Sequence, residues 1–338
     1  MAAQWLTEPR GREGPVDVVR HLVAIQAQLP SAAALAVRPR TAGASAVDVA
    51  VAQRTGELVR TWLFRGTLHL VAAEDVDWLL GLIRQTIVAR SARRRSELGL
   101  DDATVQRASA VLTDTLADGR PRTRPELFRA LSDAGIDPAG QRGFHLIRHT
   151  ALAGTVCFGP DRGNEPTWVA RQPRPDKRSR AKALAELARR YQEGYGPVDA
   201  SDLASWAGLA AVDVRQAWSP AAPSGRGRGA GLSVRMLPHF DPYLLGYRSR
   251  ELAVPSSHAG AVWTGGGYVM PTVVVNGRAV GTWELVRRSR RFRVAVRPFG
   301  ELDDTVRAAL DDEVADIGRF LGGDAEWTES ATAARASS

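Results

Sequence analysis

Two glutamines separated by one alanine, Gln26-Ala27-Gln28, stand where an apolar run meets a proline, in Leu22-Val23-Ala24-Ile25-Gln26-Ala27-Gln28-Leu29-Pro30. A primary amide has no useful pKa. Its oxygen accepts and its nitrogen donates, so glutamine is no ordinary general base, yet it can hold a ligand or a water in a set orientation. Residues 16–28 read as an amphipathic helix. On a regular helix, positions i and i+2 look to different sides and share no site. Pro30 disfavours the α region for Leu29, which predicts a helix that ends or distorts near Ala27. At such an end Gln26 and Gln28 either turn towards one ligand or are ordinary polar residues of a helix terminus, and spacing leaves both readings open.

Other chemistry-bearing residues form weaker patterns. His145 and His149 stand at i and i+4 of a helical stretch, a spacing that suits a metal. No glutamate accompanies them in the order a zinc hydrolase uses, and Cys157 is the single cysteine, so they read as structural and no metal or cofactor is expected. His69 lies on a hairpin, where lining a binding site and packing in a sheet are equally open. Asp241 precedes Pro242, first of all a turn initiator, with the means to orient a partner. Gly225-Arg226-Gly227-Arg228-Gly229 is only superficially like an RNA-binding tract, and Gly265-Gly266-Gly267 lacks the lysine and strand-to-helix setting of a phosphate loop.

The 338 residues include 45 Lys+Arg against 37 Asp+Glu, a net charge of +8, with a pI of about 10.4. Lysine occurs only as Lys177 and Lys182; the rest is arginine. Guanidinium suits phosphate forks and base edges, which points to a polyanionic partner. The length suits two or three domains, and 44% hydrophobic residues suffice for sizeable cores. A lone cysteine excludes an intramolecular disulfide and fits a reducing cytosol. No apolar run approaches a membrane span, and residues 1–12 lack a signal-peptide core. The expectation is a cytoplasmic, nucleoid-associated chain with no membrane partner.

The elements that must position these residues repeat. Residues 1–72 read as a first unit: helices over 16–28 and 46–55, then strands over 58–64 and 67–71 about Arg65-Gly66. A linking helix over 73–99 carries Arg90-Ser91-Ala92-Arg93-Arg94-Arg95. Residues 100–172 form a second unit, with helices over 101–116, 123–135 and 139–154 and strands over 155–158 and 167–170. Its second helix starts at a capping box, Thr123 to Glu126. Residues 173–231 form a third core, with helices over 180–195, 201–206 and 212–218 and then a Pro/Gly/Arg-rich stretch that reads as a mobile loop. Residues 232–300 are β-rich, with strands over 234–237, 267–270, 272–275, 280–286 and 292–296 and a hairpin turn at Asn276-Gly277. A helix over 301–321 and a disordered tail over 322–338 close the chain.

Helix, helix, helix, hairpin is the winged helix-turn-helix order. The expected fold class is therefore α+β, with three tandem winged helix-turn-helix units, a β-rich C-terminal region and a final helix. Such units present a helix to DNA, although they also serve as protein-interaction modules. Arg60, Arg65, Arg90, Arg93, Arg94 and Arg95 are the candidate phosphate contacts, each also readable as ordinary solvated charge, as is Arg287-Arg288-Ser289-Arg290-Arg291.

Over about 16–321 the sequence resembles the winged-helix DNA glycosylases of the AlkZ type, which unhook DNA interstrand crosslinks. The likeness is carried by Ala24-Ile25-Gln26-Ala27-Gln28, by Arg60-Thr61-Trp62 and Arg65-Gly66-Thr67-Leu68-His69, and by Gly163-Asn164-Glu165-Pro166-Thr167-Trp168-Val169. It continues through Phe240-Asp241-Pro242-Tyr243-Leu244-Leu245-Gly246-Tyr247-Arg248-Ser249-Arg250 and Val275-Asn276-Gly277-Arg278-Ala279-Val280-Gly281-Thr282-Trp283. The resemblance implies a C-shaped arrangement with a Gln-apolar-Gln catalytic motif on its concave face, matched here by Gln26-Ala27-Gln28. It implies double-stranded DNA with alkylated or crosslinked guanine as the partner, held by a clamp that works as a monomer. An enzyme relying on amides needs a base that already leaves easily. Guanine alkylated at N7 is cationic and departs neutral, so the amides need only hold a water near C1′ and face an oxocarbenium-like centre. No lysine lies near the motif to form a Schiff base, which implies a monofunctional glycosylase that leaves an abasic site. The competing reading is a non-catalytic winged-helix transcriptional regulator, which has no reason to keep both glutamines.

Overall fold

The computed structural model describes residues 1–220, 231–288 and 291–330. The first helix, α1 (Pro15–His21), has proline at its first position, where the missing N–H costs nothing, and Asp17 accepts the Gly14 N–H at 3.0 Å. β1 (Ile25–Gln26), α2 (Pro30–Leu35), α3 (Ala46–Arg54), β2 (Leu58–Trp62) and β3 (Leu68–Ala72) follow. After α4 (Val76–Arg90) and α5 (Ala92–Glu97) the order recurs: α6 (Asp102–Thr115), β4 (Arg122–Thr123), α7 (Arg124–Asp133), α8 (Arg142–Leu152), β5 (Val156–Phe158) and β6 (Thr167–Ala170). In both sets a short strand sits between the first two helices and pairs with the last strand, β1 with β3 and β4 with β6. Helix, short strand, two helices and a hairpin is the order of a winged helix.

A third helical set, α9 (Arg180–Tyr195), α10 (Ala200–Ala207) and α11 (Ala211–Ala217), precedes β7 (Val234–Leu237), α12 (Pro242–Leu245) and α13 (Ala259–Val262). Then come β8 (Thr272–Val275), β9 (Arg278–Arg288), β10 (Arg291–Pro298), α14 (Asp304–Leu321) and β11 (Asp324–Glu329). Among the described residues the strands form two sheets, ordered β1-β3-β2-β5-β6-β4 and β11-β10-β9-β8-β7. The first two hairpins thus share one sheet, joined where Arg60 of β2 faces Phe158 of β5. β10 alternates as period 2 demands: Phe292, Val294 and Val296 are buried while Arg291, Arg293 and Arg297 are exposed.

Local sequence signals account for several boundaries. Thr123 and Glu126 form the expected capping box, with the Thr123 N–H donating to Glu126 at 2.6 Å. Asn276 and Gly277 both take positive φ, 48° and 86°, as the tight β8–β9 turn requires.

Other boundaries depart from expectation. The helix expected over 16–28 ends at His21, and the chain reaches Gln28 as strand and loop. Pro30 does more than stop a helix: it begins α2, which the sequence reading missed. The linking helix breaks at Ser91 into α4 and α5. Residues 267–270 form no strand; Gly265, Gly266 and Gly267 all take positive φ and only a single bridge joins Gly265 to Tyr268. Among the described residues no separate hairpin closes the third helical set, because β7 joins β8 in the five-stranded sheet. The tail is not disordered from Gly322: β11 runs parallel to β10, with Trp327 donating to Asp311 at 2.6 Å. β11 alternates Ala325 and Trp327 with polar residues, and it pairs with β10 along its whole length. Residues 221–230 of the expected loop, positions 289 and 290 of the basic cluster and tail residues 331–338 lie outside the described residues.

Two arginines lie wholly inside. Arg38 donates to Glu313, Asp316 and the Met236 carbonyl, each within 2.9 Å. Arg40 reaches both carboxylate oxygens of Asp241, at 2.8 and 2.9 Å, and the Gln4 side chain. A buried guanidinium is tolerable when its charge is paired in this way, even though the Nε of each has no partner among the described residues. These pairs fasten the first helical set to β7, α12 and α14.

Candidate active site

α1 gives way abruptly to β1. Val23 takes φ of 66°, a left-handed conformation that a β-branched residue resists. The kink is held from α9: the Tyr195 hydroxyl donates to the Leu22 carbonyl at 3.1 Å. Gly194 lies so close that a Cβ there would stand 2.6 Å from the His21 carbonyl oxygen. Beyond the kink the chain pairs with β3, Ile25 opposite Leu70 and Gln26 opposite His69, and the Ala27 N–H donates to the Leu68 carbonyl at 2.7 Å.

This overturns the helical premise for the glutamines. In extended chain, i and i+2 share a face. Ile25 and Ala27 are buried, Gln26 is half-buried, and Gln28, at a bend just past β1, is exposed, so neither amide depends on a frayed helix end to reach the surface. Each carbonyl already has one anchor. The Gln28 Oε1 accepts the Leu68 N–H at 3.2 Å, continuing the strand ladder by side chain, and the Gln26 Oε1 accepts from Arg65 at 3.4 Å. An amide oxygen has two lone pairs, so among the described residues one acceptor position and both N–H donors of each glutamine are left for a ligand or a water.

The surroundings are cationic and without a strong base. Arg65 sits at the β2–β3 turn with φ of 54° and also donates to the Trp206 carbonyl. His69 lies opposite Gln26, is 2% exposed, and has its pKa pushed down to about 3, by burial first and then by Arg65. It is therefore a neutral ring near neutral pH, and its Nδ1 contacts the Thr67 carbonyl at 3.1 Å.

The remaining candidates divide. Arg60 is buried, its guanidinium 4.0 Å over the Phe158 ring at the seam of the shared sheet, so the expectation of a phosphate contact gives way to packing. Arg90 donates to the Gly208 carbonyl at 3.2 Å. Arg93 and Arg94 pair with Glu97 at 2.9 and 3.0 Å, and Arg95 with Asp102 at 3.4 Å. The Arg93 and Arg94 pairs are exposed and of the weak kind, whereas the Arg95 side chain is largely buried. The sequence reading did not single out Arg148, a half-buried arginine near the β2–β3 turn. It follows Phe144 by four residues on α8, the third helix of the second set, and donates to the Gly66 carbonyl at 3.3 Å. Phe144 and Arg148 lie one turn apart on that helix, Phe144 41% exposed and Arg148 half-buried. His145 and His149 lie on the same helix with their pKa values lowered, by burial first and then by Arg148 and Arg95 respectively.

A cavity of about 1170 Å³ lined by Trp5, Arg10, His21, Glu193 and Tyr243 includes neither glutamine. The chemistry follows the glutamines, because their free amide positions have orienting power, whereas that cavity holds charges of both signs around an already stacked Trp5–His21 pair. No helix among the described residues is long and apolar enough to cross a membrane.

An arginine-rich scaffold on which helix, short strand, two helices and a hairpin recur fits a class, the proteins that bind nucleic acid. The particular family follows from comparison. The model of the AlkZ-like DNA glycosylases matches residues 19–320, and the chain belongs to that family. It is a DNA glycosylase, a hydrolase of N-glycosyl bonds. A curated relative, the interstrand DNA cross-link repair glycosylase of Streptomyces sahachiroi, is 29% identical over 361 aligned positions, covering 95% of this chain and 94% of the relative. The solved structure of the Streptomyces sahachiroi DNA glycosylase AlkZ has the same fold, with a TM-score of 0.73 at 24% identity over 96% of each chain.

Proposed function

We propose that this chain is a monofunctional glycosylase that hydrolyses the N-glycosidic bond of N7-alkylated purines, interstrand crosslinks included, with a water held by Gln26 and Gln28. The observation that carries the reading is that both amide carbonyls are anchored to the β2–β3 hairpin, Gln26 by Arg65 and Gln28 by the Leu68 N–H. A cationic N7-alkylguanine leaves as a neutral base, so the enzyme needs a positioned water and dipoles facing the sugar more than a base to ionise that water. Neutral His69 adds no positive charge against an oxocarbenium-like centre. Lysine occurs only as Lys177 and Lys182, neither of which contacts the glutamines, which supports release of an abasic site without strand cleavage. A base tied to the opposite strand cannot rotate into a tight pocket. The exposed setting of Gln28 suits a lesion attacked in the groove, and the crosslink-repair function of the Streptomyces sahachiroi relative points the same way.

The test uses duplexes carrying one N7-methylguanine or one N7–N7 crosslink, treated with protein and then mild alkali. Alkali-labile breaks are expected with the native protein and are lost in Gln26→Ala and Gln28→Ala, while binding to undamaged duplex is retained. Undiminished breaks in the double variant overturn the assignment of the pair, and nicks that form without alkali overturn the monofunctional mechanism.

A further inference from the structure

We infer that Arg65 is a positioning residue that ties the Gln26 amide to the C-terminal end of α10. This rests on the reading of Gln26 as a holder of the attacking water and goes beyond it by assigning what holds Gln26. Arg65 bridges two partners, donating from Nη1 to the Trp206 carbonyl and from Nη2 to the Gln26 Oε1. Among the described residues neither partner is a carboxylate. The last carbonyls of a helix lack intrahelical donors and sit at the negative end of its dipole, so they are natural seats for guanidinium. α10 ends at Gly208 with φ of 69°, and its Gly208 carbonyl takes Arg90 in the same way. Gly208 also leaves the room that this requires. A Cβ there would lie 3.0 Å from the Arg65 Cγ and 3.3 Å from the Arg90 Nη1.

The brace has a second arm. Trp206 packs against Phe64, Tyr191 and Tyr195 with ring centroids 4.4, 5.2 and 5.4 Å apart. Tyr195 in turn holds the Leu22 carbonyl just before the motif. The α9–α10 pair thus grips the catalytic segment at its backbone through Tyr195 and at its side chain through Arg65. A free glutamine side chain samples many rotamers, and a charge-assisted donor selects one. The bond leaves the second lone pair of Oε1 and the amide N–H groups to the water.

The competing role is a phosphate contact, and rate and binding separate the two. Single-turnover excision of N7-methylguanine is measured together with the salt dependence of binding to the undamaged duplex, with thermal unfolding as the check on folding. Arg65→Ala is expected to slow excision by about tenfold to a hundredfold, with affinity and salt slope unchanged. Arg65→Lys, which keeps the charge and loses the fork, is expected to stay slow. Gly208→Ala disturbs Arg65 from outside the site and is expected to slow excision in the same direction. In a Gln26→Ala background, Arg65→Ala is expected to add nothing. The inference fails if Arg65→Ala leaves single-turnover excision at the native rate and lowers the salt slope by about one. It fails equally if Arg65→Lys restores the native rate. A Gln26→Ala enzyme as fast as the native one removes the underlying reading, and the inference with it. A slow Gln26→Ala enzyme combined with a fast Arg65→Ala enzyme removes the inference alone.

Discussion

At the scale of single residues, burial decides what each charge does. His69 is held neutral with a pKa near 3 against an ordinary 6.5. Below that ordinary value the unfolded chain takes a proton that the folded chain refuses. Stability is therefore full above about pH 6.5 and falls as pH drops towards 3, and by pH about 5 the loss from this one group is roughly 2 kcal/mol. His21, His145 and His149 are shifted the same way. Urea unfolding at pH about 7 and about 5 is expected to give a smaller difference in His69→Gln than in the native protein; an equal difference assigns the loss to other groups. Arg60 is an arginine by type and a packing residue by place. Arg60→Leu is expected to leave the salt slope of DNA binding unchanged, whereas removal of a true phosphate partner lowers it by about one.

At the scale of elements, the decisive event is the switch from α1 to β1. Nothing in Leu22-Val23-Ala24-Ile25 is a helix breaker, and β-branched and small residues suit both conformations. The edge of β3 and the grip of Tyr195 select the strand, against the local cost of a left-handed Val23. The buried Arg40–Asp241 pair is the other element-level constraint, because it fastens the turn after α2 to the start of α12. Asp241 also accepts the Tyr243 N–H at 2.8 Å as the cap of that helix. Its sequence reading as a turn residue before proline was sound, and its partner lay 201 positions away. Asp241→Ala leaves Arg40 buried and unpaired, and a loss of about 3–5 kcal/mol is expected in denaturant unfolding. Arg40→Met with Asp241→Leu is expected to recover much of that loss, and a double variant as unstable as the single one would refute the charge argument.

At the scale of the molecule, a net charge of +8 predicts binding to undamaged duplex that weakens steeply with salt. Arg93 and Arg94 contribute only where phosphate displaces Glu97. Replacing Arg90, Arg93 and Arg94 together with glutamine is expected to flatten the plot of log affinity against log salt by about 0.9 for each phosphate no longer neutralised; an unchanged slope places the DNA elsewhere. The shared sheet matters on this scale too. β2 and β5 join the first two helical sets in one sheet, the one that carries β1 and Gln26.

Much was legible from the residues themselves. The repeated helix order, the Thr123–Glu126 cap, the Asn276-Gly277 turn and the arginine-rich surface follow from local stereochemistry and composition, which act within a few residues. The two glutamines were visible as a pair without a base. That both amides are anchored to the β2–β3 hairpin was not visible, because the extended chain after the kink at Val23 is set by β3 and α9, remote in sequence. Nor could residue type separate buried Arg38, Arg40 and Arg60 from exposed Arg93. An arginine becomes brace, cushion or DNA contact according to the carboxylates, rings and carbonyls that folding brings to it from far along the chain.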